Sequence, residues 1–323
     1  MALIWQEKVA LVVFFLALVV IYAGEVFVLL KAMVAIVRQK PPRRILLARP
    51  AMVFHVLAVG GLLCMAYGRY IEPYWVEVNV HIVPTPALHD TPFRIVQISD
   101  LHCDTEVRNE EEMVRRIGRL KPDVIVATGD FLNDASALPL LKRTLSQLEA
   151  PLGKFAVTGN FEARRWSDLD LFAETGFRLL RQDTVSVTKD DETITISGLG
   201  FDRADGWPEL LADLPEDRFQ LFLYHMPDLI EDVADTGVDL YLCGHTHGGQ
   251  VALPLYGALI TFSKFGKKYE SGLYQVGDTM LYVNRGLGFE PRPAPPVRFC
   301  ARPEIAVFDL VPAKAPAPNE ERH

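Results

Sequence analysis

The chain has 323 residues, half of them hydrophobic, with 33 Lys and Arg against 41 Asp and Glu for a formal net charge of −8. That much apolar material can build one large domain or two medium ones and excludes disorder as the dominant state. The acidic balance excludes a nucleic-acid binder that works through a broad basic surface. The charge is unevenly divided, however. Residues 1–89 carry eight basic and four acidic side chains, and residues 90–323 carry 25 and 37, so the two parts face different surroundings.

The apolar excess lies at the front. Val9 to Gly24 is an unbroken apolar run that continues beyond Glu25 to Leu30, which is about the 20 residues a helix needs to cross a hydrocarbon core. A second run, Ala51 to Gly68, is interrupted only by His55. Two transmembrane helices are expected over 1–82. A cleaved signal peptide is the competing reading of the first run; the length of the run, its lack of a small-residue cleavage site and the second span oppose it. Glu25 and His55 read as a helix-pair contact rather than an ion pathway. Arg38, Lys40, Arg43, Arg44 and Arg49 cluster between the spans. The positive-inside rule puts this loop in the cytoplasm and both chain ends, with the large acidic portion, on the other face.

A linker is expected over 83–92, a globular domain over 93–311 and a loose Pro-rich tail over 312–323. Within the domain, short β-branched runs end in polar residues: RIVQIS before Asp100, DVIVAT before Gly129, KFAVT before Gly159, QLFLY before His225 and DLYLC before Gly244. These are buried strands. Helical stretches fall at 109–120, 137–149 and 227–235, and hairpins turn at Asp190 and Asp191 and near Gly277. The fold class is α/β with a substantial mixed sheet, in which ligand sites favour the carboxyl ends of strands.

Those strand ends carry Asp100 and His102, Asp130, Asn160, His225, and His245 with His247. Seven nitrogen and oxygen donors without a thiolate suit two divalent ions, Mn²⁺, Fe²⁺ or Zn²⁺ rather than Ca²⁺ or Cu⁺. The chain has eight histidines, and the four others are read as lying outside the domain: His55 in a span, His81 and His89 before the domain, His323 at the end. Of the four cysteines, Cys64 lies in a span, and Cys103, Cys243 and Cys300 show no disulfide or thiolate-zinc spacing, with Cys103 reading as a packing residue.

The ordered set DLH at 100–102, GDF at 129–131, GNFE at 159–162, a lone His225 and GHTH at 244–247 resembles the calcineurin-like metallophosphoesterase family, whose pattern is DxH, GDxx, GNH[D/E], H and GHxH. The extended GHTHGGQ and the later NRGLG and RPEI stretches are most similar to its membrane-anchored bacterial branch. The resemblance covers about residues 93–310. It implies a four-layer α/β/β/α sandwich behind the two membrane helices, an inner-membrane multi-pass location, and a ligand partition. Asp100, His102 and His247 would hold one ion, Asn160, His225 and His245 the other, and Asp130 would bridge, with Mn²⁺ the expected metal. It also implies a phosphohydrolase that cleaves a phosphodiester or pyrophosphate bond, with a lipid-linked substrate in view. Alternatives are a UDP-2,3-diacylglucosamine-type lipid pyrophosphatase, which prefers a cytoplasmic site and so conflicts with the charge-based topology, and a catalytically impaired metal-binding sensor.

One position departs from the family pattern: Phe161 stands where the family has histidine. Besides Asp130 and Asn160, Glu162 is therefore a candidate catalytic residue, as a replacement acid. A metal-held water could serve in its place, or the leaving group could be acidic enough to depart unaided. Arg164 and Arg165 are candidate phosphate contacts. So are Lys264, Lys267 and Lys268 on the segment 251–269, which reads either as a core strand with an exposed loop or as a lid near the bilayer.

Overall fold

Short, nearly continuous apolar runs, buried on both faces in the central strands, organise the chain into two six-stranded sheets. The computed structural model describes residues 3–290 and 295–313. It opens with helices α1 (Trp5–Val37), α2 (Arg43–Leu46) and α3 (Arg49–Tyr70). Strands β1 (Glu77–Thr85) and β2 (Phe93–Ile98) follow, then α4 (Glu110–Leu120), β3 (Val124–Thr128), α5 (Leu138–Ser146), β4 (Lys154–Val157), α6 (Asn160–Arg165) and β5 (Phe177–Leu179). The second half runs through β6 (Gln182–Lys189), β7 (Glu192–Leu199), α7 (Trp207–Leu211), β8 (Phe219–Leu223), α8 (Ile230–Val233) and β9 (Leu240–Cys243). A miniature hairpin, β10 (Ala252–Leu253) and β11 (Gly257–Ala258), precedes β12 (Gly272–Val276), β13 (Thr279–Val283) and β14 (Glu304–Pro312).

The first sheet has the order β1-β14-β2-β3-β4-β5 and the second β12-β13-β9-β8-β7-β6. Their inner faces meet through Ile95, Val126, Ile196, Leu221, Leu242 and Phe308, all 1% exposed or less. Met113 and Ile117 of α4 and Leu141 and Leu145 of α5 cover the outer face of the first sheet. Leu211 of α7 and Ile230 and Val233 of α8 cover the second. The expected four layers are present, and each expected strand and hairpin forms. In both sheets the central strands β2, β3, β4 and β7, β8, β9 run parallel within their own sheet. Their carboxyl ends therefore gather the loops that carry the predicted ligands.

The expected boundary between anchor and domain moves. Residues 77–85, read as the end of the anchor and the start of a linker, form β1 in parallel register with β14, and Val83 is buried between the sheets. Arg285 fastens this edge by pairing with Glu77 at 2.9 Å and Glu304 at 2.6 Å. His81 thus lies inside the domain, stacked on Phe308, and it is not among the residues that converge on the site. Nearly all of the expected tail lies outside the described residues.

α1 and α3 pack antiparallel, with Ala32, Ala35, Ala51 and Ala58 buried, and Glu25 pairs with His55 Nδ1 at 2.7 Å. Small side chains at such a seam let two helices approach closely. Their remaining faces expose Val12, Phe15, Leu16, Val19, Val56 and Leu63. If β1 belongs to the core, Val83→Ala should cost about 2 kcal/mol of stability. Ile82→Ala, on the exposed face of the same strand, should fall within about 0.5 kcal/mol of wild type. Equal melting temperatures for the two variants would show that β1 is not a core strand.

Candidate metal centre

Each predicted ligand lies in the segment that follows a strand, with Asn160 the first residue of α6. Five of the seven have left-handed backbones: Asp100 (φ 48°), His102 (42°), Asp130 (54°), His245 (71°) and His247 (52°). Residues other than glycine persist in that region only where the surroundings over-determine them, and such strain gathers at functional sites. The motif glycines have a steric origin. A Cβ on Gly129, itself at φ +89°, would lie 2.6 Å from His225 Nδ1, and one on Gly244 would strike Ser99 Oγ and Asp100 Oδ2.

All seven predicted ligands come together, and they are buried. Asp100, His102 and His247 form one cluster, Asp130, His225 and His245 a second. His102 Nε2 and His247 Nε2 are 3.1 Å apart, and His247 Nε2 is 3.4 Å from Asp100 Oδ1. In the second cluster His225 Nε2 lies 3.2 Å from Asn160 Oδ1, 3.2 Å from His245 Nδ1 and 3.3 Å from Asp130 Oδ2. Asp130 Oδ2 is also 3.8 Å from His102 Nε2, so it reaches both groups. Asp130 Oδ1 accepts a hydrogen bond from Phe161 N at 2.9 Å, whereas the buried Oδ2 has no hydrogen-bond partner among the described residues. A buried carboxylate oxygen without a partner, ringed by imidazole nitrogens, is the environment that divalent cations fit.

Three imidazoles have their non-ligating nitrogen fixed by a main-chain or amide oxygen. His102 Nδ1 donates to Asn133 Oδ1 at 2.7 Å, His225 Nδ1 to the Thr128 carbonyl at 2.7 Å, and His245 Nε2 to the Phe262 carbonyl at 3.3 Å. Each contact selects the tautomer whose other nitrogen faces the site. Burial pushes His102 down to about 4 and His245 to about 3, and moves Asp100 up to about 7. Burial also opposes the charged form of His225, but the Asp130 and Asp100 carboxylates outweigh it and raise this histidine to about 10. The electrostatics of the pocket thus draw in positive charge.

Glu162 does not stand where an acid is needed. It closes the first turn of α6. Its Oε2 accepts from Asp130 N and Gly159 N, and its Oε1 from Phe131 N, each at 2.8 Å. Both oxygens are committed to the main chain beneath the ligands, and the contact with Gly159 N is the glutamate half of a capping box, glycine having no side chain to complete it. Phe161 packs its ring edge-on against His102, at 4.9 Å between centroids, and Arg165 lies over Phe161 at 4.8 Å. The three lysines of the 251–269 segment are engaged elsewhere: Lys264 with Asp232, Lys267 with Glu270 and Lys268 with Glu231. That segment instead supplies the Phe262 carbonyl. Cys103 and Cys243 are buried free thiols, pushed well up by burial.

Sequence reasoning missed Asn133, Arg298 and Glu290. Asn133 follows Asp130 by three residues on the same turn, a spacing that could have drawn attention. Arg298 is fully buried and satisfied mainly by carbonyls, those of Gly288, Arg285 and Ala301, with its Nη2 3.2 Å from His247 Nδ1. Glu290 Oε1 lies 3.8 Å from His247 Nε2, and burial, with the charges of Asp130 and Asp100, pushes Glu290 up to about 8.

The model of the calcineurin-like phosphoesterase family matches residues 93–249. A metallophosphoesterase of Bacillus subtilis, YkuE, is 36% identical over 80% of this chain and 94% of its own. This chain is a calcineurin-like metallophosphoesterase, a hydrolase of phosphoric ester bonds. The phosphodiesterase YaeI of Escherichia coli is 30% identical over 76% of this chain and 92% of its own. The UDP-2,3-diacylglucosamine pyrophosphatase LpxG of Chlamydia trachomatis is 28% identical over 76% and 93%. The metallophosphoesterase family uses a dinuclear site, and this chain has two candidate clusters for one.

Two substitutions separate the roles of Asn133 and Glu162. Asn133→Ala should weaken metal binding by about 10–100-fold, read by titration of the metal-free protein, with little change in folding. Glu162→Gln must turn an amide N–H toward the main-chain donors, and each N–H left without an acceptor costs about 1–3 kcal/mol. A lower melting temperature is expected. A Glu162→Gln protein of wild-type stability that is slow only on poor leaving groups would instead restore the acid role.

Proposed function

We propose that this protein is a membrane-anchored, dinuclear metal-dependent phosphohydrolase that cleaves a phosphodiester or pyrophosphate bond in a lipid-linked substrate. The observation that carries this reading is the unpartnered Oδ2 of Asp130, which belongs to the second three-residue cluster and also lies 3.8 Å from His102 of the first. Asp100, His102 and His247 would hold one ion, Asn160, His225 and His245 the other, and Asp130 would touch both. Two such ions, Mn²⁺ by this donor set, would activate water and neutralise phosphoryl charge when bound. The chain's own part is to fix the donors through Asn133, Thr128 and Phe262, to exclude water with the Phe161 ring, and to offer the Arg165 guanidinium at the rim.

The membrane reading rests on two helices whose apolar faces are exposed and long enough to span a bilayer. Both ends nearest the domain touch it: Ile4 lies against Gly266, and Gly68 against the Arg298 carbonyl. The basic loop between Val37 and Arg49 is therefore at the far end of the helix pair. By the positive-inside rule this loop is cytoplasmic and the hydrolase faces the other side of the inner membrane. Likeness to LpxG favours a second reading, a UDP-2,3-diacylglucosamine-type pyrophosphatase, which calls for the opposite orientation.

Position 161 offers no proton, and Glu162 is committed to the main chain. General acid help is worth about 10²–10⁴ in rate, so substrates with acidic leaving groups should be preferred. In a Mn²⁺-supplemented screen of the solubilised full chain, with Asp130→Ala as the blank, lipid pyrophosphates and activated diesters should turn over at least about 100-fold faster than alkyl monoesters. Phe161→His should raise the rate on poor leaving groups. Equal rates on anhydrides and alkyl monoesters would overturn the leaving-group inference and point to a proton donor in the site, for which Glu290 is the carboxyl in place.

A further inference from the structure

The first turn of α1 carries a carboxylate that a mere tether does not need. Glu7 is 2% exposed. Its Oε1 accepts hydrogen bonds from Thr261 N at 2.7 Å and Thr261 Oγ1 at 2.9 Å, and its Oε2 from Ile4 N at 3.1 Å. Thr261 is itself fully buried, and Ile4 reaches past it to Gly266. Two residues beyond Thr261 the chain is fastened again: Ser263 Oγ donates to Asp228 Oδ1 at 2.6 Å, and Lys264 N to the same oxygen at 3.1 Å.

Between these two fastenings sits Phe262, a non-glycine residue at φ 54°. Its carbonyl accepts from His245 Nε2 at 3.3 Å. His245 Nδ1 is the nitrogen that faces His225 in the second cluster. The connection therefore runs from the Glu7 carboxylate through Thr261 and the Phe262 carbonyl to the His245 imidazole. A left-handed bulky residue relaxes when its neighbours are released. If Phe262 relaxed, His245 would lose the acceptor that fixes its tautomer and orientation, and outer contacts of this kind govern metal affinity by about 10–100-fold.

We propose that the membrane anchor is part of the metal centre, with Glu7 acting as a positioning residue that holds the 261–264 segment and thereby sets His245 for the second ion. The effect should fall on the ion that the His245 ring holds, because the segment bonds that ring, whereas the first cluster meets His245 only through its main chain, Asp100 accepting from His245 N at 3.0 Å. The inference rests on the two-ion reading but not on any substrate.

The test uses the full chain in detergent, stripped of metal and titrated with Mn²⁺ without substrate. It reads ions bound per chain, the affinity of each, and the spin-coupled signal of a manganese pair. Glu7→Met fills the same space without an acceptor and should weaken one ion about 10-fold, reducing the coupled signal at limiting Mn²⁺ while leaving the other ion unchanged. Glu7→Gln keeps an oxygen for Thr261 N and should stay within a few-fold of wild type, which separates the hydrogen bond from simple packing. Glu7→Ala gives the same readout where the Met variant is not tolerated. Wild-type affinities at both ions in Glu7→Met, or an equal loss at both ions in all variants, would overturn the proposal. A wild-type chain that binds fewer than two ions would instead refute the two-ion reading itself.

Discussion

The constraint on which the rest of the molecule depends is the burial of Asp130 with one of its carboxylate oxygens unsatisfied. An ionised group removed from water costs several kcal/mol unless it is paired, and here the described main chain supplies one donor, Phe161 N, to one oxygen only. Around the other it places imidazole nitrogens from two sheets. The parallel strands bring their carboxyl ends together, the glycines before Asp130 and His245 remove side chains that would collide with ligands, and Glu162 pins the two loops that carry Asp130 and Asn160. Left-handed backbone at five ligands is the conformational cost of aiming so many donors at one small volume.

The charge distribution acquires meaning from this centre. The acidic domain would repel a phosphate ester in bulk, yet the carboxylates at the strand ends attract cations, and two cations make the pocket locally positive. The raised affinity of His225 for a proton shows the same demand for positive charge in the protein alone. An anionic substrate is thus compatible with a net charge of −8. The helix pair adds a second constraint, since α1 begins beside the segment whose carbonyl orients His245. The helix pair touches the hydrolase domain at Glu7 and Gly68, and, were it to span a membrane, it would hold the reaction close to the bilayer surface.

Much of this is legible in the sequence because the site is built from local strand-to-turn units. Each β-branched run followed by Asp, Asn or His encodes both the buried strand and its terminal ligand. Features that depend on distant pairing are not legible. Strand β1 has Asn79, His81 and Pro84 within it and alternates exposed Val80 and Ile82 with buried Val83, and its partner β14 lies more than 200 residues away. Glu162 reads as an acid in the sequence because it lies two residues past Asn160, although a glutamate at the third position of a helix whose N-cap is Gly159 is itself a capping signal. Glu7 has a local capping contact with Ile4 N, but its contact with Thr261 and that of Arg298 with His247 give no local signal, since those partners lie far along the chain.

The central claim is that Asp130 is shared by two ions. Diffraction from crystals grown with Mn²⁺, with data collected at the manganese absorption edge, tests it directly. Two anomalous peaks about 3.5–4 Å apart, flanking the Asp130 carboxylate and each within coordination distance of its own cluster, are the predicted result. A single peak, or ions that leave Asp130 uncoordinated, would contradict the claim.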